Sequence, residues 1–141
     1  MRPIKFRAWN EVLKEWVEPN AVHVNGVGIL GFVGAIDGRF HQASPHYKFS
    51  QFTSLHDKNG KEIWEGDVLR AGDESGMEVK FEKGAFGVEP LRPQSDENGT
   101  EYYETWVTLD QLIEENYWSK ETPSFDVEVL GNIYENPELL K

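Results

Sequence analysis

Phe52-Thr53-Ser54-Leu55-His56-Asp57-Lys58-Asn59-Gly60-Lys61-Glu62-Ile63-Trp64-Glu65-Gly66-Asp67-Val68-Leu69 is the stretch whose reading decides the fold. Asp57-Lys58-Asn59-Gly60 is a turn signal: Asp opens it, and Gly stands where positive φ carries no steric cost. Glu65-Gly66-Asp67 is a second turn, placed before the apolar Val68-Leu69. The whole reads strand, turn, short strand, turn, strand. It describes a fold and shows no evident chemistry.

Towards the N-terminus, residues 4–9 alternate, with Ile4, Phe6 and Ala8 on one face and Lys5, Arg7 and Trp9 on the other, the period of a strand. Residues 15–18 return as a second strand that ends at Pro19. Asn25-Gly26 and Asp37-Gly38 divide residues 21–43 into a three-stranded meander, because tight hairpin turns need positive φ. Another strand is expected over 47–53. Towards the C-terminus, 68–70, 77–81 and 86–89 read as strands, with a turn at Lys83-Gly84. A polar stretch, 92–101, reads as a disordered loop, and 102–107 as a strand. Thr108 and Gln111 form a capping box for one helix over 108–118, with Leu109, Leu112, Ile113 and Tyr117 on one face. A last strand runs from Val127 through Tyr134 and stops at Pro137. Many short strands and one helix, without strand–helix alternation, exclude a parallel nucleotide-binding sheet. The expected fold is mainly β: a small, distorted antiparallel β-barrel with one short capping helix at about 108–118.

Three segments carry a resemblance to a known family: Ile4-Lys5-Phe6-Arg7-Ala8-Trp9, the run from Asp57 to Val68, and Gly131-Asn132-Ile133-Tyr134-Glu135-Asn136-Pro137-Glu138-Leu139-Leu140. In this order they resemble the YopX family of phage and prophage proteins. The resemblance implies a distorted barrel capped by a helix and a phage origin. It implies no mechanism, since the family has no established activity.

The chain has 141 residues, which fits a single domain, 1–141. It has no cysteine, which removes disulfides, thiolate metal sites and cysteine nucleophiles. No apolar run reaches about 18 residues and no leader is visible, so a cytoplasmic protein of the host bacterium, away from membranes, is expected. The net charge of −11 is unevenly placed: residues 1–56 hold six Lys/Arg and four Asp/Glu, and residues 57–141 hold eight and twenty-one. A surface of that sign repels phosphate backbones, and nucleic acid is not the expected partner.

Gly26-Val27-Gly28-Ile29-Leu30-Gly31 matches G-x-G-x-x-G, but Gly34, Asp37-Gly38 and Pro45 follow it where a helix must open. A strand with a close backbone approach is the better reading. Asp57, Asn59 and Glu62 are out of register with a calcium loop, since Gly60 is fourth and Val68 twelfth. His23, His41, His46 and His56 show no ligand spacing. No cofactor and no metal are expected. Among the many carboxylates, Glu65 and Asp67 are the best pair for acid–base catalysis, and a small hydrolase is the alternative they support. The preferred expectation is non-enzymatic. Eighteen of the residues are aromatic, five of them Trp. Such rings are enriched at interfaces, which points to a homo-oligomer with Trp9, Trp16, Trp64 and Tyr134 as interface candidates. The function expected is a self-associating binding or scaffolding module of phage origin. A host or phage protein is the further partner, and an acidic mimic that binds a basic host protein is the second alternative.

Overall fold

The structure, a computed structural model, describes residues 4–17, 21–27, 30–33, 37–71, 74–89, 94–95, 97–102, 106–109 and 127–140. They fall into two compact units, Met1–Ser54 and Leu55–Lys141.

Alternation builds the first unit. β1 (Phe6–Asn10) and β2 (Glu15–Val17) pair antiparallel, with Ala8 opposite Val17 and Trp9 opposite Trp16. Asn10 sets their turn: its Oδ1 accepts the N–H groups of Val12 and Leu13, both at 3.0 Å. Lys14 closes it at φ 57°, and its N–H returns to the Asn10 carbonyl. The meander expected at 21–43 is present as β3 (Val22–Val24), β4 (Leu30–Val33) and β5 (Phe40–Gln42), side by side in that order. Gly31 is mid-strand in β4, where a Cβ would run into the His41 carbonyl oxygen and come within 2.7 Å of the Phe40 ring. At Gly31, the last glycine of the motif, the backbone therefore makes a close strand approach. β6 (Tyr47–His56) lies antiparallel to β1, with Phe49 opposite Ala8. Phe32 of β4 packs on Tyr47 and Phe49, its ring centroid 5.0 and 6.2 Å from theirs, and so joins the two sheets of this unit.

β6 runs through Ser54 into the second unit. There follow β7 (Glu62–Trp64), β8 (Asp67–Ala71), β9 (Glu74–Glu78), β10 (Lys80–Glu82) and β11 (Ala85–Val88). β12 (Gln94–Ser95) lies in the stretch expected to be a disordered loop, and it pairs with β13 (Glu101–Tyr102), which starts at the end of that stretch and enters the strand expected from residue 102. β14 (Val107–Thr108), β15 (Val127–Asn132) and a 3-10 helix at Pro137–Leu140 complete the described elements. Two three-stranded sheets, β15-β8-β9 and β10-β11-β14, carry this unit. Its core is Ile63, Leu69, Met77, Val79, Val88, Val107, Leu109 and Val127, all buried. Each such side chain contributes about 1.5–3 kcal/mol of burial. β8 meets register shifts on both sides, at Val129/Gly131 and at Leu69/Arg70. Bulges bend and twist a strand, so this sheet is bent at β8. The mainly β, antiparallel fold expected from the sequence is the fold observed.

Two local readings differ. Met77–Phe81 is not one strand, because Val79 donates its N–H to Asp67 O and accepts from Gly66 N, both at 2.8 Å. The chain passes there from the sheet of β8 to the sheet of β11. The last strand stops at Asn132, whose Oδ1 accepts the N–H groups of Tyr134 and Glu135 at 3.0 and 2.8 Å and turns the backbone. Thr108, expected to cap a helix, pairs with Gly87 at the end of β14 and is followed directly by Leu109 in helical conformation. The rest of that expected helix, 110–118, lies outside the described residues.

Candidate functional site

The second unit holds the carboxylates singled out from the sequence, and the turn Glu65-Gly66-Asp67 positions them. Gly66 makes the turn at φ 88°, and a Cβ on it would stand 3.0 Å from the Tyr134 ring. Its N–H reaches Val79 O and its carbonyl accepts from Ile133 N at 2.9 Å, so three segments converge on one residue without a side chain. Asp67 is 3% exposed, and its Oδ2 accepts the Trp64 N–H at 2.8 Å. That carboxylate braces the turn. Glu65 is half-buried beside it.

The carboxylate that Glu65 influences is Glu78, at the end of β9. Burial raises the Glu78 pKa above the ordinary value, Lys80 opposes this, and the charges of Glu65 and Glu89 add to it. Sequence reasoning missed Glu78 because its alternation with Met77 and Val79 marks it only as an outward strand residue. Its placement opposite Val68 is a long-range pairing. A carboxyl held protonated to higher pH beside other acids has the electrostatics of a proton donor. Among the described residues, no group of three His, Cys, Asp or Glu could hold a metal ion.

Asp57 does different work. Its Oδ1 accepts from Asn59 N and Lys61 N, both at 2.9 Å, and its Oδ2 from Val129 N at 3.0 Å. Burial is the largest effect on this carboxyl and raises its pKa, but the N–H groups of Val129, Lys61 and Asn59 together outweigh it and leave the pKa lowered. Nearby, Arg70 Nη2 stands 2.7 Å from Glu128 Oε2 and Lys58 Nζ 3.7 Å from the same oxygen. The Arg70 hydrogen bond is the first cause of the lowered Glu128 pKa. These groups fasten the 57–61 turn to β15. The histidines do not converge: His41 Nε2 is 3.0 Å from Asp37 Oδ2 on the surface, and His46 Nδ1 is 2.8 Å from Ser44 Oγ.

The interface candidates divide. Trp9 and Trp64 are 5% and 6% exposed, so the chain itself covers them. Trp16 and Tyr134 are half-buried, the first edge-on to Trp9 at 5.0 Å with the Arg7 guanidinium 4.0 Å over its ring. Among the aromatic residues whose burial is described, the exposed one is Phe81, at 52%. Its place in a strand alternating with the buried Met77 and Val79 marks it as core, and only the position of β10 at the rim of its sheet reveals otherwise. Val12 and Leu13 are exposed as well, on the turn fixed by Asn10. No described helix is long and apolar enough to cross a membrane.

A family model described as YopX protein matches residues 5–141. No curated protein matches the chain. Among solved structures, protein EF1440 from Enterococcus faecalis is similar at 24% identity and a TM-score of 0.58, over 100% of both chains. Protein yopX from Bacillus subtilis is similar at 17% identity and a TM-score of 0.51, again over 100% of both. At these identities the likeness is one of fold.

Proposed function

The chain belongs to the YopX family, and from that premise we propose that it is a non-enzymatic, phage-derived binding module that associates with itself. The observation that carries this is the division of labour among the conspicuous residues. Asp57 and Asp67 spend their carboxylates on backbone N–H groups, whereas Phe81 keeps its ring in solvent. Large apolar side chains held out on fixed turns and strand rims favour contact with another protein surface. Size-exclusion chromatography with light scattering tests it. A mass above the 16.2 kDa of one chain is the expected result, and a clean monomer at tens of micromolar refutes self-association.

One observation favours a second reading. The division between the units coincides with the division of charge: residues 1–54 carry six Lys/Arg against four Asp/Glu, and residues 55–141 carry eight against twenty-one, giving +2 and −13. A basic protein partner would then dock on the second unit. Its capture should fade over a few hundred millimolar salt, since the Debye length is about 10 Å at 0.1 M. Retention that ignores salt would end this reading.

A further inference from the structure

Exposed strand edges offer unpaired N–H and C=O groups and are usually covered. In the second unit, β9 is met by the 3-10 helix, with Leu139 O 3.1 Å from where a Cβ on Gly76 would stand. β15 is met by the 57–58 turn: Lys58 donates to Val127 O at 2.9 Å and Val129 to Asp57 Oδ2 at 3.0 Å. β10 has β11 on one side, and no described residue hydrogen-bonds to its other side.

The hairpin geometry shows which groups face that edge. Lys83 and Gly84 have φ 52° and 80°, a two-residue turn of the type that matches strand twist. Its closing pair, Glu82 and Ala85, exchanges hydrogen bonds, so the next pair, Phe81 and Phe86, does not. The Phe81 N–H and C=O therefore point away from β11. Two residues earlier in the same alternation, Val79 spends the equivalent groups on Asp67 and Gly66. β8 begins at Asp67, so at Phe81 that neighbour has ended. The Phe81 ring lies edge-on to Phe86 at 5.0 Å on one face of the sheet, and Lys80 and Glu82 project from the other.

We propose that this edge pairs with the same edge of a second copy, antiparallel about a two-fold axis through Phe81. Each Phe81 then exchanges two backbone hydrogen bonds with its counterpart. Lys80 of each chain faces Glu82 of the other, and the two Phe81 rings meet on the opposite face beside Phe86. Lys-Phe-Glu is complementary to itself only in this direction. Parallel pairing in register sets Lys80 against Lys80 and Glu82 against Glu82. The charges thus admit a closed two-fold dimer and oppose an open stack. Four other described rim strands lack this property: Glu15-Trp16-Val17, Val22-His23-Val24, Phe40-His41-Gln42 and Glu62-Ile63-Trp64 carry no flanking pair of opposite charges. This inference rests on the self-association reading and names its surface.

Sedimentation velocity of the full chain tests it with charge exchange. Lys80→Glu makes the strand Glu-Phe-Glu and Glu82→Lys makes it Lys-Phe-Lys, so like charges face each other twice in either homodimer. Each variant alone is expected to associate about tenfold or more weakly than the natural chain. An equimolar mixture of the two restores both attractive pairs, and so does the double exchange within one chain. Both are expected to associate as the natural chain does. Lys80 also lies 4.0 Å from Glu89 within the chain, so circular dichroism checks each fold. If one single variant does not fold, the double exchange carries the test. Single variants that associate like the natural chain, or a mixture and double exchange that associate no better than the single variants, overturn the β10 pairing and leave self-association standing. A natural chain that stays monomeric overturns both.

Discussion

Asp57→Asn tests how the most decisive turn of the chain is held. The substitution keeps shape and removes charge. An amide oxygen can still accept from Asn59 and Lys61, now as neutral bonds, which are roughly half as strong as charge-assisted ones. Its NH2 group then faces the Val129 N–H, donor to donor, and that partly buried group loses its acceptor. An orphaned buried donor costs about 1–3 kcal/mol, and the two weakened bonds add about 0.5 kcal/mol each. The sum is about 3 kcal/mol, read as a lower midpoint in urea with an unchanged slope. The pH dependence is fixed in sign. The folded-state pKa of Asp57 is lowered from the ordinary 3.8, so its stabilisation is complete above that value and is lost as pH falls through the folded pKa. The gap between natural chain and variant should therefore close in acid. A midpoint change worth less than about 0.5 kcal/mol at neutral pH, within the range of an ordinary surface substitution, would refute the reasoning.

Gly31→Ala should cost the first unit more than about 2 kcal/mol, because the new methyl meets a strand carbonyl rather than a movable side chain. A thermal melt that matches the natural chain contradicts that. Asn10→Ala removes the acceptor of two N–H groups and should cost about 1 kcal/mol, with faster hydrogen exchange confined to Val12 and Leu13. Glu78→Gln should stabilise the protein at neutral pH, because a raised folded pKa means that the charged form is penalised on folding. That gain should vanish below the ordinary carboxylate range, and a variant less stable at neutral pH would contradict it.

Local signals were the legible ones. Asp37-Gly38, Asp57-Lys58-Asn59-Gly60 and Lys83-Gly84 each announce a turn whose glycine adopts positive φ, Asn25-Gly26 announces one that is made without it, and the strands between them alternate with period 2. What they could not show is partner choice over distance. Nothing near Asp57 in sequence says that Val129 will be its third donor. Thr108 satisfies a helix-cap pattern and precedes the helical Leu109, but nothing local says that Gly87, a remote residue without a Cβ, also takes it as a strand neighbour. Glu65 and Asp67 look paired because they are adjacent across one glycine, and the fold turns Asp67 inward to Trp64 while Glu78 comes under the influence of Glu65. Trp9 and Trp64 drew attention by residue type, whereas the exposed ring is Phe81, whose pattern reads as core.

The self-association account is tested most directly by amide hydrogen exchange at Phe81 as a function of protein concentration. In a single copy this N–H has no acceptor among the described residues and should exchange at close to the rate of an open strand. The account predicts that its protection rises with concentration, while Lys80 and Glu82, already bonded to β11, change little. A Phe81 amide that exchanges equally fast in dilute and concentrated solution would contradict it.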